Sequence, residues 1–293
     1  MTTPAPSYLV GLIGAGIGSS VTPALHESEA DAAGLRYLYR TIDIDVLGYG
    51  VDATVELIRR AGDLGYDALN ITHPCKLAAI DALDEVSPDV ALLGSVNTVL
   101  FRDGRAIGHN TDHSGFARGL RDGLAGRPRD AVLLVGAGGA GAAIAYALLS
   151  AGVRRLEIAD AAPTRTGAVM RALAPAFPDA ELRALALDEV ADAAARVDGL
   201  VNATPVGMVG HDGIPVDAAL LRPPLWVADA VYRPVRTQLI AAADDAGCAV
   251  LDGGRMVVNQ AADTFRLITG IEPDRERMRA VFLDRLGAAT LAG

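Results

Sequence analysis

The stretch Ala131-Val-Leu-Leu-Val-Gly-Ala-Gly-Gly-Ala-Gly-Ala-Ala-Ile-Ala-Tyr146 decides how the chain is read. A β-preferring apolar run ends at Gly136 and an alanine-rich, helix-favouring run begins three residues later. The order is strand, tight turn, helix. The spacing Gly136-x-Gly138-x-x-Gly141 is the dinucleotide fingerprint. Gly136 permits the sharp turn, Gly138 lets a pyrophosphate approach the backbone, and Gly141 lets helix and strand pack closely. First-turn N–H groups then face the phosphates. Glycine is abundant here, 32 of 293 residues, so spacing alone says little. Context adds weight: a second strand, Leu156–Ala159, ends at Asp160, where a carboxylate can accept from ribose hydroxyls.

Downstream, strands and helices alternate. Leu182–Leu185, Gly199–Ala203, Trp226–Ala230 and Cys248–Leu251 read as strands. Helices fall near Arg165–Ala174, Asp188–Arg196 and Arg236–Ala246. That pattern predicts a parallel, doubly wound sheet. Two loops leave strands at their carboxyl ends, where ligands of such sheets bind: Asn202-Ala-Thr-Pro-Val-Gly-Met208 and Asp229-Ala-Val-Tyr232. Beyond Gly253 and Gly254 a helix is expected from about Arg255 to Thr269, carrying Gln260, and a last one near Arg275–Leu286.

Upstream, Leu9–Ile13, Tyr37–Ile44 and Asp67–Ile71 read as strands and Val51–Leu64 as a helix. Thr22 before Pro23 fits an N-cap for a helix from Pro23 to Ala33, which presents Ser20 and Thr22 near a helix N-terminus. Asn70-Ile-Thr-His-Pro-Cys-Lys76 leaves the third strand with a helix expected near Lys76, so Asn70, Thr72 and Lys76 lie at a carboxyl edge. Lys76 there suits a surface role or an anion contact. Ser95–Phe101 and Ala106–Gly108 pair around Asp103-Gly104, with polar Asn97 among apolar neighbours. Asp112 opens the next helix, where capping is its ordinary duty. Gly123–Asp130 reads as the end of a first domain.

The bulk numbers exclude several classes. A chain of 293 residues, 51% hydrophobic, is long enough for two domains. A net charge of −10 disfavours nucleic acid. Two cysteines, Cys75 and Cys248, build neither a disulfide framework nor a zinc site, and suit a reducing cytosol. The N-terminus lacks the basic and apolar regions of a signal peptide, and no run is long and apolar enough to span a membrane.

Seven segments in order resemble the shikimate dehydrogenase family, and within it the quinate/shikimate dehydrogenases. They are Ser20-Val-Thr-Pro, Asn70-Ile-Thr-His-Pro-Cys-Lys, Gly94-Ser-Val-Asn-Thr, Gly108-His-Asn-Thr-Asp, the glycine loop, Asn202-Ala-Thr-Pro-Val-Gly-Met and Asn259-Gln-Ala. The resemblance implies an α/β enzyme with an N-terminal substrate domain, residues 1–125 joined by 255–293. Residues 126–254 would form a Rossmann-type nicotinamide-binding domain. It implies a small cyclic hydroxy acid, quinate or shikimate, as substrate and NAD as cofactor, with NADP the alternative, in the cytoplasm. By the same resemblance Lys76 and Asp112 form a catalytic dyad and Ser20 and Thr22 hold the carboxylate. Asn97, Thr72 and Gln260 bind ring hydroxyls, with Asn70 and Tyr232 nearby. The cofactor contacts it implies are Gly136, Ala137, Gly138, Gly139, Ala140, Gly141, Asp160, Arg165, Thr204, Pro205, Val206, Val231, Gly253 and Met256.

Chemistry agrees with these roles. Oxidising a secondary alcohol removes a hydride and a proton; the cofactor takes one and a side chain must take the other. Lysine does so only when neutral, which burial favours and a neighbouring carboxylate opposes. Two departures bear on substrate and cofactor. Thr22 stands where many biosynthetic members carry serine, as in the quinate-accepting branch. Asp160 would repel a 2′-phosphate, whereas Arg165 is placed to reach one. The other readings are a biosynthetic NADP-dependent shikimate dehydrogenase and a nicotinamide-sensing module without catalysis. His73, His109 and His113 cluster in sequence but lack metal-ligand spacing, so no metal is expected.

Overall fold

The computed structural model describes residues 6–291, with side chains through 287. The N-terminal segment read above lies, as far as residue 5, outside the described residues. Two compact units emerge: Met1–Thr111 with Gln260–Gly293, and Asp112–Asn259.

The first unit contains β1 (Ser7–Gly14), α1 (Thr22–Ala32), β2 (Arg36–Asp43), α2 (Ile44–Leu47), α3 (Thr54–Asp63) and β3 (Ala68–Ile71). It continues with β4 (Glu85–Val86), α4 (Pro88–Leu93), β5 (Thr98–Arg102) and β6 (Arg105–His109). The sheet order is β2-β1-β3-β5-β6-β4. β1 runs parallel to β2 and β3, β5 antiparallel to β3, and β6 antiparallel to β5. Alternation along β1 sends Val10 and Leu12 to one face, with Tyr37, Tyr39 and Phe265, and Ile13 to the other, with Ile58, Leu69 and Val99.

The second unit contains α5 (Asp112–Gly123), β7 (Ala131–Val135), α6 (Gly139–Ser150), β8 (Arg155–Ala159), α7 (Pro163–Leu173) and β9 (Glu181–Leu185). After these come α8 (Val190–Ala194), β10 (Gly199–Asn202), β11 (Trp226–Asp229), α9 (Gln238–Asp245) and β12 (Ala249–Leu251). All six strands are parallel in the order β12-β11-β10-β7-β8-β9, the doubly wound arrangement. The chain closes with α10 (Gly253–Thr269) and α11 (Arg275–Leu291).

Several local expectations need correction. Lys76 lies in a turn followed by a short 3-10 helix, Ala78–Ala82, rather than in a helix. Thr22 is the first residue of α1; Val21 is the cap, and Ser20 Oγ accepts from the Thr22 N–H at 3.3 Å. Asp188–Arg196 splits into a 3-10 turn and the five-residue α8. β4 and α4 were not anticipated, since both are too short to show periodicity. The two compact units part at Thr111/Asp112 and Asn259/Gln260. Helix α5 is the reason: Phe116 and Leu120 are buried, and Gly119 and Gly123 lie against Leu251 and Arg255.

Among the described residues of the first unit, buried carboxylates are paired. Glu29 of α1 accepts from Arg277 Nε and Nη2 at 2.8 and 2.7 Å and from the Asp274 N–H, which fastens the start of α11. His26 is different. It is wholly buried, its Nδ1 meets the Tyr37 hydroxyl at 2.9 Å, and its Nε2 has no hydrogen-bond partner. Burial drops its pKa from 6.5 to about 3. Between those values the unfolded chain binds a proton that the folded chain refuses. Stability therefore falls as pH drops through that window, by about 1.4 kcal/mol per unit for this group. In His26→Leu the loss of melting temperature between about pH 6.5 and 4 is expected to be smaller than in the parent; equal losses would contradict it.

Candidate active site

Strand direction collects the first unit's polar residues at one sheet edge. β1 and β3 are parallel, so Gly14 and Thr72 emerge together, and Ala15 N–H donates to the His73 carbonyl at 3.0 Å. A side chain at Gly14 would collide with Thr72 Cγ2, so only glycine allows these two loops to lie so close. β5 is antiparallel to β3, with Asn70 opposite Thr98, which brings Asn97 to the same edge. Thr98 pairs with His109, so Asn110 and Thr111 arrive there too. The Val96 N–H donates to the Lys76 carbonyl at 3.1 Å, which ties the Lys76 turn beside Asn97. Lys76 is half-buried.

Hydroxyls and amides at this edge form a closed ring. Asn97 Nδ2 donates to Thr111 Oγ1 at 2.9 Å, and the Thr98 hydroxyl donates to Asn97 Oδ1 at 2.9 Å. The Thr98 and Thr264 hydroxyls lie 3.1 Å apart and the Thr264 and Thr111 hydroxyls 2.9 Å apart, both within hydrogen-bond distance. The cycle is Asn97 to Thr111 to Thr264 to Thr98 and back to Asn97. Each bond polarises the next. Thr111 also lies 3.4 Å from Gln260 Oε1, and its N–H donates to Asn97 Oδ1 at 2.8 Å. Asn70, Asn97 and Gln260 are thus brought together, while Ser20 and Thr22 sit at the α1 end of the Gly14 loop.

In the second unit the glycine loop lies at the point where strand order reverses, between β7 and β10. Gly136 has φ of 105°, and a Cβ there would lie 2.6 Å from the Ala203 carbonyl carbon. A Cβ on Gly141 would strike the Gly136 carbonyl oxygen. Gly138, by contrast, faces open space, as a loop made for a phosphate requires. Gly139 opens α6, and Ala137 is buried beside half-buried Ala140. The fit to a dinucleotide is therefore steric as well as sequential. Asp160 accepts from the N–H groups of Ala137 and Ala162, each at 2.7 Å, with exposed Arg165 3.9 Å away. It therefore braces the glycine loop in addition to any ribose contact.

Thr204, Pro205 and Val206 leave β10 at the same edge, and Val231 and Tyr232 leave β11. The two loops are joined beneath by a network that sequence reading missed. Asp229 accepts from Asn202 Nδ2 at 2.9 Å, the Val231 N–H at 2.9 Å and the Thr237 hydroxyl at 2.7 Å. Asn202 Oδ1 in turn accepts from Thr204 N–H and Oγ1 at 3.0 and 2.7 Å. Gly253 backs onto the carbonyls of Ala230 and Val231, and Met256 follows in the first turn of α10. Burial pushes the half-buried Tyr232 phenol above its usual pKa.

The missed residues had faint signals. Thr264 stands four residues after Gln260 on one helix face, and Asp229 is an acid at the end of an apolar strand. Cys75 is wholly buried in apolar packing. Of the three histidines, His113 stacks edge-on against Tyr146, at 4.9 Å between ring centroids, and His73 is exposed. Among the described residues no cluster of His, Cys, Asp or Glu can hold a metal ion, and no helix is long and apolar enough to cross a membrane.

Residues 12–99 match the model of the shikimate dehydrogenase substrate binding domain, a stretch that includes Ser20, Thr22, Asn70, Thr72, Lys76 and Asn97. The chain is 52% identical to a shikimate dehydrogenase (NADP(+)) of Pseudarthrobacter chlorophenolicus, across 98% of both chains. The chain belongs to the shikimate dehydrogenase family. It is also 48% identical to a quinate/shikimate dehydrogenase (NAD(+)) of Corynebacterium efficiens, over 94% of this chain and 98% of that one. Among solved structures it resembles the quinate dehydrogenase from Corynebacterium glutamicum in complex with NAD, with a TM-score of 0.90 and 44% identity over 95% of this chain and 99% of that one. Membership in this family makes the chain an oxidoreductase acting on a hydroxyl group.

Burial raises the Asp229 carboxyl above its usual pKa, partly offset by its three donors. Ionisation of such an acid penalises the folded state once pH climbs above the unfolded value of 3.8. Asp229→Asn keeps a carbonyl toward Asn202 and Val231, turns an amide toward Thr237, and removes the penalty. The melting temperature of the variant minus that of the parent is expected to grow from about pH 4 to 7; a flat or shrinking difference would contradict it.

Proposed function

We propose that the chain oxidises the ring hydroxyl of quinate and shikimate reversibly, giving 3-dehydroquinate and 3-dehydroshikimate, with NAD as its cofactor. The observation that carries this reading is Asp160. Its carboxylate is anchored by two backbone N–H groups at the end of β8, where an adenosine ribose binds in a doubly wound sheet. A fixed negative charge there repels a 2′-phosphate, whereas exposed Arg165 is a weaker counterweight at 3.9 Å. The similarity to NAD-linked quinate/shikimate dehydrogenases supports the same choice.

In this reading the chain falls into a substrate-holding unit and a nicotinamide-holding unit. When bound, the nicotinamide supplies the hydride acceptor. Lys76 takes the hydroxyl proton as the alcohol becomes a ketone, and Asp112, buried at the first residue of α5, works with it. Ser20 and Thr22 hold the ring carboxylate at the start of α1, where N–H groups and the helix dipole favour an anion. Asn70, Thr72, Asn97 and Gln260 take ring hydroxyls, and Tyr232 closes the set. The glycine loop, Thr204–Val206, Val231, Gly253 and Met256 hold the cofactor. Two buried thiols suit a reducing cytosol.

The second reading is an NADP-dependent shikimate dehydrogenase, which the 52% identity to an enzyme of that description favours. Steady-state assays crossing quinate and shikimate with NAD⁺ and NADP⁺ decide between them. The expected outcome is turnover of both acids with higher kcat/KM for NAD⁺. Turnover of shikimate alone, with NADP⁺ alone, assigns the second reading. Lys76→Ala is expected to lower kcat by about 10²- to 10⁴-fold while nucleotide affinity is retained, the size of an acid–base contribution; unchanged turnover removes Lys76 from the chemistry.

A further inference from the structure

Asn70 lies in β3, 5% exposed, and its amide is almost fully committed. Its two Nδ2 hydrogens go to the Asn97 carbonyl at 3.2 Å and to Thr98 Oγ1 at 3.3 Å. Thr98 accepts there through a lone pair of its hydroxyl, which also lies 2.9 Å from Asn97 Oδ1. On the other side, the Tyr39 hydroxyl donates to Asn70 Oδ1 at 2.6 Å. Turning the amide over would set Oδ1 against the Asn97 carbonyl oxygen, acceptor against acceptor. The orientation is therefore decided by chemistry. One valence remains, a lone pair on Oδ1.

Tyr39 is well placed to hold that orientation. It is 5% exposed, its ring meets His26 edge-on at 5.2 Å between centroids, and its N–H donates to Glu27 Oε1 at 3.0 Å. Burial keeps its phenol well above the usual pKa, so it stays a donor at any working pH.

We propose that Tyr39 is a positioning residue that makes Asn70 an acceptor-only contact, so that Asn70 selects a substrate hydroxyl retaining its proton and rejects a carbonyl, ether or fluorine at that ring position. The proposal rests on the reading of Asn70 as a contact for a polyhydroxylated ring acid. It narrows the class that the site accepts, because an amide able to flip would serve donor and acceptor substituents alike.

The test compares wild type with Tyr39→Phe, using quinate, shikimate and analogues in which each ring hydroxyl is replaced by hydrogen or by fluorine. In Tyr39→Phe the KM for the parent acid is expected to rise roughly three- to tenfold, the scale of one hydrogen bond, with kcat and the KM for NAD⁺ unchanged. That rise is expected to vanish for the one deoxy analogue that lacks the hydroxyl read by Asn70. An unchanged KM, or an equal rise for every deoxy analogue, overturns the proposal. The wild type alone supplies a second measurement. At the sensitive position fluorine, which accepts but does not donate, is expected to weaken binding at least as much as hydrogen; retained affinity overturns the proposal. Wild type inactive on both acids overturns the substrate reading together with this one, whereas an active wild type with an unresponsive variant overturns this one alone.

Discussion

The hydrogen-bonded ring through Asn97, Thr111, Thr264 and Thr98 is the constraint from which the first unit's site takes its shape. Four side chains from the start of β5, the end of β6 and the middle of α10 are locked together by hydrogen bonds. All four residues except Thr264 come from the sheet edge, so the ring draws the Gln260–Thr264 face of α10 against it. Buried hydroxyls without partners would each cost about 1–3 kcal/mol. A closed cycle avoids that cost, and it leaves few ways for the amides to turn. Asn70 extends the same logic outward to Tyr39 and into the aromatic cluster around His26.

The second unit solves a similar problem with different means. Its loops are fixed by close backbone approach and by carboxylates that accept from main-chain N–H groups. Gly136 and Gly141 are the points at which no side chain fits, and Asp160 clamps the loop between them to the end of β8. Asp229 does the corresponding work across β10 and β11. Carboxylates suit this task because each oxygen accepts more than one hydrogen bond. Their burial is tolerated where the donors are sufficient, and Asp229 shows its strain as a raised pKa.

Much of this was legible without coordinates. The parallel, doubly wound character of the second sheet follows from alternation of strand and helix, and its glycines announce the turn after β7. Asn97 stands out as a polar residue among apolar neighbours, Asn70 by its place at the end of β3, and Gln260 through the resemblance to known dehydrogenases. Less legible were Thr98, Thr111 and Thr264, since threonine is at home in strands and helix faces and carries no signal of its own. The turn at Lys76 was misread as a helix because Lys-Leu-Ala-Ala has good helix propensity, which the neighbouring loop and the short 3-10 segment override. Thr22 was misread as a cap because Thr before Pro fits that role, while in the fold Ser20 supplies the oxygen.

What the chain determines by itself is local: period, turn chemistry, and the glycine spacing of the loop after β7. These depend on neighbours in sequence and survive any arrangement of the elements. The tertiary structure decides where units part, which hydroxyls meet, and which face of an amide is left over. Those choices depend on partners far apart in the chain, as with Thr98 and Thr264, 166 residues apart, and a one-dimensional pattern does not encode which side chains meet.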